Sequence, residues 1–310
     1  MKGRDFVETL PSDTCAMREE RIFQAVQRGD IVHAWTPIPV EHGNHHGVVY
    51  VSSDSLGVGE PDDFVRVTVN AMTEQRIADA MDAMLLTPRV CDLIYQKATT
   101  KLLPCRQSPD AQMSNTRRMV QHSREVDEQK RAFGEAGLCA DPGKDWVLTN
   151  KLLWVPGRAA NYGWHDPGSR HTTSVRGQRV WQPLFETRPH DLKHVDYSQT
   201  VRLMRRTMVL DGAEVPVDRV LSDPGLFRLL SSEDQPLAFL RYPVSLGEVR
   251  PTLRRGSRGA AVVEWQRIVG VGDDGIFGKN TENATKQWET AHGFTPDGVV
   301  TASEWSAAGA

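Results

Sequence analysis

The sequence predicts an α+β main domain followed by a small all-α C-terminal module. Three observations lead there. Helical and strand patterns along residues 1–241 are segregated rather than strictly alternating, which argues against a wound parallel sheet. Residues 253–310 show helical periodicity interrupted by glycine turns, with a half-repeat in which Asp274-Gly-Ile-Phe-Gly278 is answered by Asp297-Gly-Val-Val-Thr301. Residues 242–252 (Tyr-Pro-Val-Ser-Leu-Gly-Glu-Val-Arg-Pro-Thr) read as the linker between them.

From the N-terminus, residues 17–30 read as an amphipathic helix with Ile22, Phe23 and Val26 inward and Gly29 as its stop. Residues 35–39 and 47–51 read as strands, and 64–69 alternates apolar and polar residues as a half-buried strand does. A helix beginning after Thr73 carries Ile77, Met81 and Met84. In the next, Thr87 is the cap, Pro88 takes the first position, and Val90, Leu93 and Ile94 face inward. Residues 104–143 are polar and irregular except for a helix over 119–133. Strands return at 146–149, 152–155 and 180–184. Residues 201–210 then run into Asp211-Gly212, a hairpin turn signal, and come back through Val215. Short helices over 217–221 and 224–230 close the domain.

In the module, Ser257 is placed to cap a helix whose apolar face is Val262, Val263, Trp265 and Ile268. Thr281 caps a second helix over 282–292 that buries Ala284 and Trp288, and Gly293 stands where a helix end favours a left-handed residue. Leu253-Arg-Arg-Gly-Ser-Arg-Gly-Ala-Ala-Val-Val-Glu-Trp-Gln266, Asp274-Gly-Ile-Phe-Gly278, Thr281, Ala284, Gln287-Trp288, Gly293-Phe294, Asp297-Gly-Val-Val300 and Trp305 follow in order. This series closely resembles the type 1 peptidoglycan-binding domain, a three-helix module carried by many cell-wall enzymes. The resemblance covers about a fifth of the chain and departs from the usual pattern at Thr301, where glycine is common, and at Glu304, where threonine is common. It implies peptidoglycan as a partner. Contacts are expected at Asp274, Gly275, Phe277 and Gly278 and at Asp297 and Gly298.

A net charge of −3 and a pI near 6.4 give no overall basic field for nucleic acid. Eight tryptophans against five tyrosines fit either sugar stacking or burial in two cores. Cys15, Cys91, Cys105 and Cys139 are widely spaced, with no Cys-x-x-Cys pair and no disulfide framework. No apolar run approaches a membrane span, and the start, Met1-Lys-Gly-Arg-Asp-Phe-Val-Glu8, is too charged for a secretory leader. The expected route is therefore synthesis in the cytoplasm and action at the bacterial wall after phage-type lysis or contractile injection. Either would involve a delivery or structural partner.

Chemistry is expected where polar and aromatic residues crowd: Asn161-Tyr-Gly-Trp-His-Asp166, Trp181-Gln-Pro-Leu184 and His194-Val-Asp-Tyr-Ser198. In one reading His165 and His194 ligate a metal, zinc being the candidate, together with Asp166 or Asp196. In another, Ser198 is a nucleophile with a histidine as base, Tyr197 lying beside it. The competing structural reading makes both segments packed turns and caps. Glu41-His-Gly-Asn-His-His46 offers a further histidine cluster, on a hairpin tip that reads better as an exposed loop.

Known wall-hydrolase patterns are not met. Ser169-Arg-His171 opens like the Ser-x-His of zinc D,D-carboxypeptidase-type peptidases, but Ser174 and Gln178 stand where that pattern needs glycine and aspartate. No cysteine lies in the Asp-Cys-Ser motif of wall-cleaving cysteine endopeptidases, and neither common zinc-histidine signature is present. Two functions stay open: a wall hydrolase (amidase, peptidase or muramidase, endolysin-like or an injected effector) held to its polymer by the module, or a non-catalytic wall-binding component of a tail, spore or injection system.

Overall fold

A computed structural model describes residues 1–134, 137–170, 173–175, 177–184, 189–243 and 252–308. The chain forms two compact units, Met1–Val244 and Ser245–Ala310. The first is mixed α and β with several small sheets, and the second is helical.

The main unit is organised on a long hairpin. Strands Trp35–His42 and His45–Ser52 pair in full register from Trp35↔Ser52 to His42↔His45. The second of these strands is also joined on its far edge by Leu203–Arg205 and Thr207–Leu210, which extend the sheet to Ala83–Leu85 and Ala213–Pro216. A second antiparallel sheet runs in the order Thr173–Val175, Gln178–Gln182, Asn161–His165, Lys144–Trp146. Pairing is antiparallel throughout the named strands except at Thr100–Lys101 with Cys139–Ala140.

The helices start where the sequence places capping side chains. Thr87 accepts from the Val90 amide at 3.2 Å, Pro88 follows it, and Val90, Cys91 and Ile94 of Pro88–Lys97 are buried. Helix Ala16–Gln27 buries Ile22, Ala25 and Val26 and gives way to Gly29 at φ 76°. Helix Thr116–Phe133 is capped by Asn115, turns Met119, His122, Ser123 and Val126 inward, and ends at left-handed Gly134.

Several expectations are corrected. Helix Gly3–Thr9, anchored by buried Phe6, is too short to show a periodic pattern. Asn70, not Thr73, caps Ala71–Ala80, because its side chain accepts the Thr73 amide at 2.9 Å; Met84 falls beyond the helix, in strand Ala83–Leu85. The expected strand at 152–155 is a 3-10 helix, Asn150–Trp154, with Thr149 accepting from the Lys151 amide. Tyr242 belongs to the main unit rather than to a linker: it is buried, and its hydroxyl donates to the Val147 carbonyl at 2.8 Å and accepts the Ala160 amide at 3.0 Å. The remaining linker expectation over 244–251 and the His171 position lie outside the described residues. All four cysteines are free. Among the described residues no helix is long and apolar enough to cross a membrane.

The second unit comprises helices Ala260–Ile268, Lys279–Ala291 and Ala302–Ala307 around Leu253, Val262, Trp265, Phe277, Val300 and Trp305. Its half-repeat holds at the level of individual bonds. Gln266 Oε1 accepts the Gly275 amide at 2.9 Å, and Glu289 Oε2 accepts the Gly298 amide at 2.9 Å, each nine residues downstream. Asp274 accepts the Ile276 amide and Asp297 the Val299 amide two residues on, closing the same turn twice. Gly275 and Gly298 sit at φ 73° and 76°, where a side chain would be strained; at Gly298 a Cβ would also meet Lys286 and Glu282 below 3.0 Å. The caps differ from expectation: Gly259 and Gly278 precede the first two helices, and Thr281 instead faces inward to accept from Gln266 at 3.0 Å.

Candidate functional site

Strand Asn161–His165 carries the densest chemistry of the main unit. Its alternation is broken by consecutive positive φ values, 123° at Gly163 and 59° at Trp164. The break lets Tyr162 and His165, three residues apart, meet at one carboxylate: Asp92 Oδ1 accepts from the Tyr162 hydroxyl at 2.9 Å and from His165 Nε2 at 2.8 Å. On the other side of the ring, Nδ1 lies 3.1 Å from Asp141 Oδ2, which also accepts the His165 amide at 2.9 Å. Tyr95 stacks on the imidazole with centroids 4.4 Å apart. Burial opposes the imidazolium, but hydrogen bonds and charge from Asp141 and Asp92 outweigh it and push His165 up to about 9. His165 is 1% exposed, so at neutral pH it is a buried cation between two carboxylates.

A second layer of acids adjoins this group. Asp145, opposite Tyr162 in the sheet, is fully enclosed; burial pushes it up to about 7 despite the opposing charge of Arg202. Cys91 Sγ donates to Asp145 at 3.5 Å, and burial raises the thiol too, leaving it a protonated donor. Burial, together with the nearby charge of Asp145, also raises Glu74 well above the ordinary carboxylate range.

The other expected residues form a different group. Asp196 receives Lys144 Nζ at 2.7 Å and the Ser198 hydroxyl at 2.7 Å. Burial would raise this carboxylate, but Lys144 and Ser198 hold it below its ordinary value. His122, Trp164 and Tyr197 pack beside it; Tyr197 accepts the Gln107 amide at 2.8 Å. Gly143 is required here, since a Cβ would meet the Ser198 carbonyl at 2.5 Å. His194 stacks on His190 at 4.5 Å, and both lie edge-on to Trp146. Burial lowers both imidazoles, His190 to about 4, so this pair is neutral where His165 is charged.

The structure therefore does not assemble one site. Trp146, against which His194 packs, pairs with Asn161, whereas His165 stands four residues along that strand. His165 is held by Asp92 and Asp141, and His194 packs on His190 and Trp146, so the two imidazoles share no partner. Among the described residues no three His, Cys, Asp or Glu side chains are arranged to hold a metal ion. Ser198 is fully buried and bonded to Asp196 rather than to a histidine. Asp166 accepts Trp181 Nε1 at 3.1 Å. At the hairpin tip, exposed His45 pairs with Asp211 at 2.7 Å.

Sequence reasoning missed Asp92, Asp141, Asp145 and Lys144. Asp92 lies 73 residues and Asp141 24 residues from His165, so no local spacing announces them. In the C-terminal unit, Asp274 and Asp297 are exposed and Gly278 is partly so, whereas Phe277 lies in the core and Gly275 and Gly298 are buried turn glycines. Phe277 is thus a packing residue rather than a surface contact. No protein-family model matches the chain, and neither a curated protein nor a solved structure is significantly similar to it.

Proposed function

We infer that this is a peptidoglycan-targeted protein whose C-terminal unit attaches it to the bacterial wall. The observation that carries this reading is the paired construction of that unit. Two Asp-Gly turns, each tied to a helix by the side chain nine residues before its glycine, present Asp274 and Asp297 to solvent on a module with its own tryptophan-rich core. The ordered series of residues shared with type 1 peptidoglycan-binding domains supports the same conclusion. Anchoring of this kind raises the local concentration of wall bonds around whatever the main unit does.

For the main unit two activities compete. A wall hydrolase would use the half-exposed, neutral His190 and His194, which have the protonation state a general base needs. A non-catalytic binding component is favoured by a specific observation: His165 is engaged by Asp92 and Asp141, and Asp196 by Lys144 and Ser198. The test has two parts. Residues 252–310 alone should pellet with insoluble peptidoglycan, and residues 1–243 should do so much less; equal pelleting would remove the anchoring assignment. Full-length protein in a peptidoglycan zymogram, followed by mass analysis of fragments, then separates the two activities: a cleared band abolished by His194→Ala establishes the hydrolase, and no cleavage leaves the binding component.

A further inference from the structure

Helix Thr116–Phe133 buries one face and leaves Arg117, Val120, Gln121 and Arg124 on another, at the i, i+3, i+4, i+7 spacing of a single helical stripe. Two cavities lie along it. One, of about 430 Å³, is polar and is lined by Arg106, Arg117 and Arg118. The other, of about 480 Å³, is lined by Val7, Leu10 and Val120 together with Arg117 and Arg124. Asn115, Arg117 and Gln121 line both, so they are adjoining compartments of one groove. Each has the volume of an ordinary ligand site.

The positive charge of this groove is largely uncompensated. Arg118 pairs with Asp110 and donates to the Ser108 carbonyl at 2.9 Å, so it serves to hold the wall of the polar compartment. Arg106 lies over the Trp181 ring at 3.8 Å. Among the described residues, none of Arg106, Arg117 and Arg124 lies within ion-pair distance of a carboxylate. Glu125 is the one acidic residue among those lining either compartment, and it already accepts from Gln121 at 2.8 Å. Guanidinium groups left without carboxylates, beside an aliphatic wall, are complementary to a ligand that brings both carboxylates and small apolar groups.

We propose that this groove binds a short peptide with free carboxylates, the chemistry of peptidoglycan stem peptides. Carboxylates meet Arg106 and Arg117 in the polar compartment and Arg124 in the other, and alanine methyl groups pack on Val7, Leu10 and Val120. The choice of stem peptide over an acidic protein segment rests on the wall-targeting reading above. The site itself rests on charge and cavity alone.

The test uses the full chain and a fluorescently labelled stem tetrapeptide with free glutamate and diaminopimelate carboxylates, followed by anisotropy. Saturable binding is expected, weakened by added salt. It should fall about tenfold or more in R117E/R124E, and in the same direction in R117A/R124A, which removes charge without adding acids. Both arginines are exposed, so melting temperature should hold in both variants. Absence of saturable binding by the wild type, or equal binding by the variants, overturns the site. Tighter binding of an oligo-glutamate peptide overturns the stem peptide as occupant. Pelleting with whole peptidoglycan is measured alongside and should be unchanged in the variants. Peptide binding without pelleting would remove the anchoring reading and leave the groove standing; pelleting without peptide binding would do the opposite.

Discussion

His165 sits in the four-stranded sheet and the His190–His194 pair at the separate two-stranded sheet of Arg158–Ala159 and His190–Asp191, and the two carry opposite charge states. Around His165, carboxylates from helix Pro88–Lys97 and from the turn at Asp141 occupy both ring nitrogens and hold the proton to about 9. Around His190, burial against Trp146 and a second imidazole lowers the ring to about 4, with Lys144 adding to the effect. Burial acts in the same direction on both. The difference is the acid partner, which turns a desolvated histidine from a neutral base into a fixed cation. Position in a sequence motif says nothing about which outcome applies.

Removing the cation should give the largest effect. His165→Ala leaves Asp92 and Asp141 facing each other's charge in a buried site, and breaking a buried ion group of this kind costs about 3–5 kcal/mol. Denaturant unfolding of the variant should show that loss at pH 7, with the Asp92→Asn/His165→Ala double variant recovering part of it. A variant as stable as wild type would show that the triad is not charged.

The pH dependence is the next largest effect, and its sign differs between the two groups. His165 has a folded value raised above its unfolded one, so its stabilisation is complete below about 6.5 and is lost as pH rises through about 9. Asp145 acts in the same direction: raised by burial to about 7, it favours the fold at low pH and ceases to as pH climbs through that value. His190 acts oppositely. Its stabilisation is present above about 6.5 and is lost as pH falls through about 4. Imidazole nitrogen NMR should show one ring protonated through pH 8 and the His190 ring neutral through pH 5. Matching titrations for the two would dissolve the comparison.

The smallest effect should come from His194→Ala, which removes half of a partly exposed stacked pair and costs about 0.5–1.5 kcal/mol. A loss as large as that of His165→Ala would mean that the pair is structural, and would remove it as a candidate base.

Much of the fold could be read from local signals. Thr87-Pro88, Gly29 and the Asp211-Gly212 turn act within a few residues of themselves, and the structure uses each as expected. The C-terminal half-repeat was legible for the same reason. What escaped were decisions made at a distance. Residues 152–155 have strand-like composition, yet Thr149 starts a 3-10 turn there while also bonding Glu233 across 84 residues. The candidate site was legible as a location but not as a circuit. His165, Asp196 and Ser198 are functional in type, but the residues that determine their state, Asp92, Asp141 and Lys144, are brought in by other elements. The pairing of Arg117 with Arg124 on one face of Thr116–Phe133 was not read from the sequence, because the expected helix began at 119 and the absence of a carboxylate partner is a tertiary fact.

The C-terminal unit is also clasped at its entry. Leu253 and Val300 exchange both backbone hydrogen bonds at 2.9 Å, joining the entry of the unit to the turn before its last helix. If the Asp-Gly turns grip a cross-linked polymer, any tug from the rest of the chain enters at residue 252 and loads this clasp and the core together, because Leu253 and Val300 are both core residues. Leu253 is itself part of the core that holds Trp265 and Trp305, so parting the two strands here also means drawing a buried side chain out of that core.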